Sequence, residues 1–345
     1  MRPASIEEAA ALLKGFEKPV RPVGGGTKPW VPARDEEQLE TGALNRILEH
    51  NVGDFTAVLE AGVPFAEAQR AFAAHGQRLS WDPPDPGGAT IGGIVASNDS
   101  GPLRHRYGGV RDLVVGITVV LSDGTIAKAG GKVIKNVAGY DLGKLFAGSF
   151  GTLGLIGSVA VRLHPLPGRT ATVVLEHTNP DHLLEEVLRL ARRPLEADKF
   201  DVVWSGGHGR VLMEFSGTSA LDQAGRVGPV RDVDWEEVRG LQRGEVVVKV
   251  SGRPTDLPAV IRAADDHGGT VVSRAALGLS WIALQNAEGV AAIREALAPR
   301  TCVVLDGAGA DQWPADVPGQ VVMERLKARF DPARIFRPGS FVGGI

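Results

Sequence analysis

Three observations predict an α+β fold in two parts. Glycine is interleaved with apolar, strand-like runs between Trp81 and Gly157. Two such runs meet at an Asp123-Gly124 turn, which favours tight antiparallel pairing. The second half then repeats a strand, helix, strand-pair order, the pattern of an antiparallel sheet covered by helices on one face.

The elements follow in order. Ser5 with Glu8 three residues on is a capping-box signature, Ile6, Ala9, Ala10, Leu12 and Leu13 form a helical stripe, and Gly15 ends it. Residues 19–23 form a strand that runs straight into Gly24-Gly25-Gly26-Thr27-Lys28. Residues 57–61 are a second strand, Pro64 opens a helix at 65–75, Gly76 stops it, and 78–81 are extended. The three prolines of residues 82–88 forbid regular structure, and residues 82–97 read as one ordered loop. Residues 113–121 and 125–129 make the hairpin, 141–147 a short helix and 155–163 a long apolar strand. Pro165, Pro167 and Gly168 then mark a boundary.

Beyond it, strands are expected at 171–176, 200–204, 211–215, 246–250, 270–273, 281–284 and 302–305. Helices are expected at 180–191 behind Asn179, and at 256–267, 290–297 and 321–330. The order recurs, but no sequence period marks a repeat. The final segment around Phe330 to Gly339 is too short for a domain and is expected to pack back on the rest.

Composition narrows the function. With 38 Lys plus Arg against 41 Asp plus Glu, the net charge of −3 gives no basic field for nucleic acid or anionic lipid. The single Cys302 allows neither an internal disulfide nor an iron–sulfur cluster, which takes about four thiolates. Redox chemistry would therefore need a borrowed cofactor. Glu7 and Glu8 stand where a signal peptide would be apolar, and no stretch approaches the roughly 18 apolar residues of a membrane span. The chain reads as cytoplasmic, with no transmembrane segment and any inner-membrane attachment made through partners. Glycine is the outlier: 45 of 345 residues, 17 of them between Trp81 and Gly157, against an ordinary share of about 7%. That density inside strand-forming sequence points to backbone lying close to a large ligand.

Three stretches carry the chemistry. Val23 and Gly24 to Lys28 can turn several backbone N–H groups toward one anion, with the Thr27 hydroxyl and Lys28 ammonium beside them, which suits a pyrophosphate. Pro29 stands where the dinucleotide fingerprint needs its last glycine, and no P-loop pattern occurs, so neither motif applies. A flexible surface turn is the competing reading. Thr90, Ile91, Gly92, Gly93, Ile94, Val95, Ala96 and Ser97, with Ser100 and Gly101 after them, offer a small-residue wall with hydroxyls and backbone donors for a flat heterocycle such as a flavin. A tightly packed core loop explains that segment equally well. Gly148 to Ile156 has the same texture and leads into the buried strand.

In this order the three stretches resemble the FAD-binding domain of the p-cresol methylhydroxylase (PCMH) and vanillyl-alcohol oxidase type. Residues 130–142, with Lys132, Lys135 and Tyr140, and Gly148-Ser149 followed by Gly151-Thr152-Leu153-Gly154 further resemble the small FAD-binding subunit of bacterial glycolate oxidases. The likeness spans residues 20–167, with an echo from Phe330-Asp331-Pro332 to Pro338-Gly339.

The resemblance implies a PCMH-type FAD-binding domain of two subdomains over residues 1–168. An antiparallel-sheet-plus-helices cap over 169–320, for substrate or interaction, and a segment 321–345 returning to the FAD domain would complete it. It assigns Gly24 to Lys28 to the pyrophosphate, Pro86, Gly87, Thr90 to Ser97, Ser100, Gly101 and Leu103 to the flavin and ribityl chain, and Gly151, Leu153, Gly154 and Ile156 to the adenine end. A solvated face is the first reading of Lys132 and Lys135. Members that bind FAD covalently carry a His in the first glycine loop; Gly26-Thr27 stands there, so dissociable FAD is expected.

The H-x-G-D-G-N-x-H run that resembling large subunits and D-lactate dehydrogenases carry in the cap is missing. His208 is its nearest fragment, and His105 between Arg104 and Arg106 is the better-placed alternative, so no catalytic residue is assigned. The resemblance implies a 2-hydroxy acid substrate, a larger FAD-binding oxidase subunit and an iron–sulfur subunit. A non-catalytic flavin relay or assembly subunit, or a stand-alone FAD-dependent alcohol oxidase, are the other readings.

Overall fold

The computed structural model describes residues 1–30, 34–85, 87–132, 140–307, 311–315 and 317–345. The chain is α+β and forms two compact units. One comprises Met1–Ser100, Gly108–Leu166 and Val317–Ile345; the other comprises Gly101–Tyr107 and Pro167–Asp316.

The first unit begins with helix Ile6–Leu13, started by the Ser5 hydroxyl accepting the Glu8 N–H at 3.1 Å. The helix buries Ala9 and Leu13 in a core with Val20, Leu39, Val120, Leu155, Ile335 and Phe336. The glycine loop's strand, Val20–Val23, pairs in parallel with Glu37–Glu40, an edge the sequence reading did not anticipate. A five-stranded antiparallel sheet runs in the order Ile47–Asn51, Thr56–Glu60, Leu155–Arg162, Val114–Val120, Ile126–Gly130. The long strand expected at 155–163 is its centre, buried at seven of eight positions, as its continuous apolar run requires. The C-terminal segment joins this unit through Val20, whose N–H donates to Ile335 O at 2.6 Å and whose carbonyl accepts from Arg337 N at 3.0 Å.

Two expectations change. Residues 91–97, read as loop, form helix Ile91–Ser97. Thr90 caps it by accepting the Gly93 N–H at 3.4 Å, and Gly92 lies so close to Ala61 that a Cβ would meet its methyl at 2.6 Å. Capping and close packing outweigh the poor helix propensity of two glycines. Pro64 stands one position earlier than expected, as the N-cap of Phe65–Ala73.

In the second unit an eight-stranded antiparallel sheet runs Val230–Arg231, Thr170–His177, His208–Ser216, Ala197–Ser205, Thr270–Arg274, Leu279–Leu284, Val246–Ser251, Thr301–Asp306. Its halves have the same connectivity, strand-helix-strand-strand-helix-strand. Numbered within each half, the strands lie in the order 4-1-3-2, and the two second strands join the halves through Val203 opposite Val272. The recurrence seen in the sequence is therefore a doubled motif without a sequence period. Helices Pro180–Ala191, Ala220–Gly225, Leu257–Asp265 and Val290–Leu297 share one core with alternate strand residues, including Phe200, Val202, Trp204, Val211 and Ile282.

At the seam between the halves, Arg274 donates to Asp201 at 2.8 Å with both side chains fully buried. It also donates to Gln242, and its guanidinium lies 4.9 Å from the Trp281 ring centre. Residues Gly101–Tyr107 pack with this unit because Arg106 reaches Asp198 at 3.3 Å and Tyr107 donates to the same carboxylate at 3.4 Å. Removing one partner of a sealed ion pair strands the other charge. Asp201→Ala is expected to destabilise the protein by about 3–5 kcal/mol in denaturant unfolding, and a loss under ~1 kcal/mol would show that the pair does not hold the halves together.

Candidate functional site

The site is a cleft in the first unit, with a volume of about 220 Å³. Its first wall is the chain after strand Val20–Val23, where Val23, Gly24, Gly25, Gly26, Thr27 and Lys28 all line it. The second is helix Ile91–Ser97 and its cap, through Thr90, Gly92, Gly93, Ala96 and Ser97. The third is the loop into the central strand, through Gly151, Gly154 and Ile156. Segments more than a hundred residues apart in sequence thus share one concavity.

Close backbone approach builds it. A Cβ on Gly25 would lie 1.7 Å from the Gly88 carbonyl oxygen, and one on Gly24 would lie 2.1 Å from Thr90 Oγ1. Neither contact is possible for a real side chain, so the first loop seats on the second only because both residues are glycine.

The remaining expected residues lie elsewhere. Ile91 is fully buried beneath the wall, Leu153 and Ser100 are buried off it, and Gly87 is exposed in the turn where its N–H meets Asp85 Oδ1 at 3.0 Å. Gly101 and Leu103 belong to the second unit. Pro86, Lys135 and residues 133–139 lie outside the described residues. Exposed Lys132 forms an ion pair with Glu49, in keeping with a solvated face.

Sequence reasoning missed Arg21, Pro22, Trp30, Thr41, Ala61, Phe150 and Arg337, which also line the cleft. Ala61 was findable as the small residue ending a strand, and Arg337 sits in the C-terminal echo. Thr41 follows an unanticipated strand, and nothing local marks it.

Electrostatics and donor geometry suit an anion with an apolar body. Among the described residues, the lining includes three cations, Arg21, Lys28 and Arg337, and no carboxylate. Lys28, 8% exposed at its side chain, sits 3.5 Å from the buried Asp99. Arg337 is 3.9 Å from buried Glu36, and burial pushes its pKa below the usual value. The Ser97 hydroxyl donates back to its own helix, at 2.8 Å to Gly93 O and 3.2 Å to Ile94 O, and so offers the cleft acceptor character only. Trp30 and Phe150 stand 6.3 Å apart at one end, giving aromatic surface. A glycine cradle with cations fits a pyrophosphate, and the Gly92, Gly93, Ala96 wall fits a flat ring. Among the described residues that line the cleft, none is a His, Asp, Glu, Cys or Tyr.

The two histidines considered from sequence are in the second unit. His105 is half-buried with its ring edge-on to Phe200 at 5.5 Å. Burial, and then the Arg106 charge, push its pKa down against the pull of Asp198. Arg106 is committed to Asp198 and Glu196. His208 is exposed at a strand turn beside His177 and His182. No group among the described residues is arranged to hold a metal ion. No helix among them is long and apolar enough to cross a membrane.

Comparison with known proteins agrees with this geometry. Residues 1–130 match the FAD binding domain family. The chain is 37% identical over 194 residues to the glycolate oxidase subunit GlcD of Bacillus subtilis, covering 54% of this chain and 41% of that one. It is 34% identical over 203 residues to a D-lactate dehydrogenase of Archaeoglobus fulgidus, covering 56% and 45%. With the glycolate oxidase subunit GlcE of Escherichia coli it shares 31% identity over 160 residues, covering 46% and 45%. The aligned residues thus span less than half the length of each of these relatives. A solved alkyldihydroxyacetonephosphate synthase superposes with a TM-score of 0.71 over 97% of this chain and 75% of its own, at 16% identity, a likeness of fold. The resemblance to FAD-binding, PCMH-type proteins read from the three loops is borne out, and FAD is the cofactor these findings support.

Gly25→Ala forces the first loop off the second. It is expected to weaken FAD binding at least about tenfold, read by flavin fluorescence on the cofactor-free protein. Gly53→Ala, with open space around it, is expected to bind as the unaltered chain does; equal binding by both variants would contradict the packing described.

Proposed function

We propose that this chain is an FAD-binding subunit of a glycolate oxidase-like complex. It holds FAD non-covalently, oxidises a small 2-hydroxy acid such as glycolate or D-lactate, and passes electrons to an iron–sulfur partner. The observation that carries the reading is the convergence of the three glycine-rich stretches on one cleft that has, among the described residues, three cations and no carboxylate. Bound there, FAD would supply hydride acceptance, chemistry that no side chain provides. The chain's own part is to neutralise the pyrophosphate with Lys28 and the 24–28 amides and to hold the flat ring against Gly92, Gly93 and Ala96. Among the described lining residues none is a His, Cys or Tyr able to take a covalent bond to the flavin. The one cysteine of these 345 residues is buried, and its thiol is pushed up in pKa by desolvation. Onward electron transfer through an iron–sulfur centre therefore calls for thiolates from outside these 345 residues, and a partner subunit is in keeping with the subunit names of two relatives.

That no His, Asp, Glu, Cys or Tyr is among the described lining residues favours a second reading, a flavin relay or assembly subunit whose larger partner oxidises the substrate. Anaerobic mixing with glycolate or D-lactate separates the two. Bleaching of the bound flavin by the isolated chain supports catalysis here, and bleaching only after the partner is added supports the relay.

Acid precipitation of the yellow protein is expected to leave all flavin in the supernatant, measured by absorbance. Colour that pellets with the protein would contradict non-covalent binding.

A further inference from the structure

We propose that Arg337, carried into the cleft by the C-terminal segment, is a phosphate-binding cation for the pyrophosphate of the dinucleotide cofactor. This rests on the FAD reading of the cleft and adds a residue from a part of the chain far outside the matched 1–130 region.

The segment is fastened at both flanks of the cleft. Lys327, 1% exposed, donates to Thr152 O at 2.7 Å, to Phe336 O at 2.6 Å and to Asp331 Oδ2 at 2.7 Å. Asp331, itself fully buried, accepts from Ile335 N at 3.1 Å and Phe336 N at 2.9 Å. One donor of this ammonium thus ties the segment to the 148–156 loop while the other two brace the segment itself, and the Val20 hydrogen bonds tie it to the strand before the glycine loop. Phe341 packs on Phe150 at 5.9 Å beyond them.

Between these ties the chain places Arg337 with φ +47, a left-handed conformation that glycine and asparagine enter readily and arginine enters at a cost. Its side chain, 10% exposed, lies on the cleft wall and donates to Phe150 O at 3.2 Å. Glu36 stands 3.9 Å away, longer than a good charge-assisted hydrogen bond. A guanidinium sealed at this depth gains from a second anion, and its planar fork matches two phosphate oxygens at once. A purely structural tie would need neither the fork nor a place on the wall.

The test is FAD titration of cofactor-free protein across a range of salt concentrations. Arg337→Gln is expected to raise the FAD Kd about tenfold to hundredfold and to flatten its salt dependence, with Arg337→Lys recovering part of the loss. A glutamine variant within about threefold of the unaltered chain, or a lysine variant as weak as the glutamine one, overturns the proposal. Should the glutamine variant fail to fold, the lysine variant decides alone: a several-fold rise in Kd is expected from losing the fork, and unaltered affinity overturns it. If the unaltered chain takes up no FAD, the reading of the cleft itself fails, a result distinct from unaltered-chain binding that the variants leave unchanged.

Discussion

The missing methyl groups at positions 24 and 25 are the constraint on which the site depends. Any side chain at Gly25 would occupy the space of the Gly88 carbonyl, and any at Gly24 that of the Thr90 hydroxyl. Thr90 is also the cap of helix Ile91–Ser97, so the contact that seats the first loop fixes the start of the second wall. Gly92, pressed on Ala61, then fixes that helix against the end of strand Thr56–Glu60. One run of close approaches therefore orders two of the three walls and leaves a concavity between them instead of a filled core.

The third wall is held by charge. A single ammonium, Lys327, is satisfied by two carbonyls and one carboxylate in a site closed to water. Burial alone would push its pKa down, and the Asp331 carboxylate opposes that shift. Such a group is costly to bury without partners and specifying with them. It makes the last 29 residues of the first unit part of the cleft's frame. The cleft and its frame thus reside in the first unit, whereas the doubled sheet of the second presents a separate set of buried polar groups around Asp201 and Arg274.

Much of this was legible in the residues because local signals and tertiary packing agree. Helix Pro180–Ala191 matches its expected bounds, set by Asn179, whose side chain accepts from Asp181 and His182. The hairpin of Val114–Val120 and Ile126–Gly130 forms where Asp123-Gly124 predicted it, with Gly124 at φ +81. Fourteen of the expected cofactor residues lie on one wall or another of the cleft, and the dense glycines include the close approaches at Gly24, Gly25 and Gly92 that build it. Illegible were the features created by distant partners. Helix Ile91–Ser97 depends on a cap and on Ala61 rather than on propensity. The strand Glu37–Glu40, buried only at Leu39, has too little pattern to announce itself. The Gly101–Tyr107 excursion follows Asp198, 91 positions from Tyr107, and Arg337 is brought to the cleft by distant partners, among them Val20 and Phe150.

Hydrogen exchange read by mass spectrometry, on protein stripped of flavin and on the same protein reloaded with FAD, addresses the convergence of the three walls most directly. Amides that a ligand or its enclosure shields exchange more slowly. Slowed exchange in peptides from residues 23–28, 90–97 and 151–156 together is the predicted result. Slowing confined to one of these stretches, or to the doubled sheet of the second unit, would contradict it.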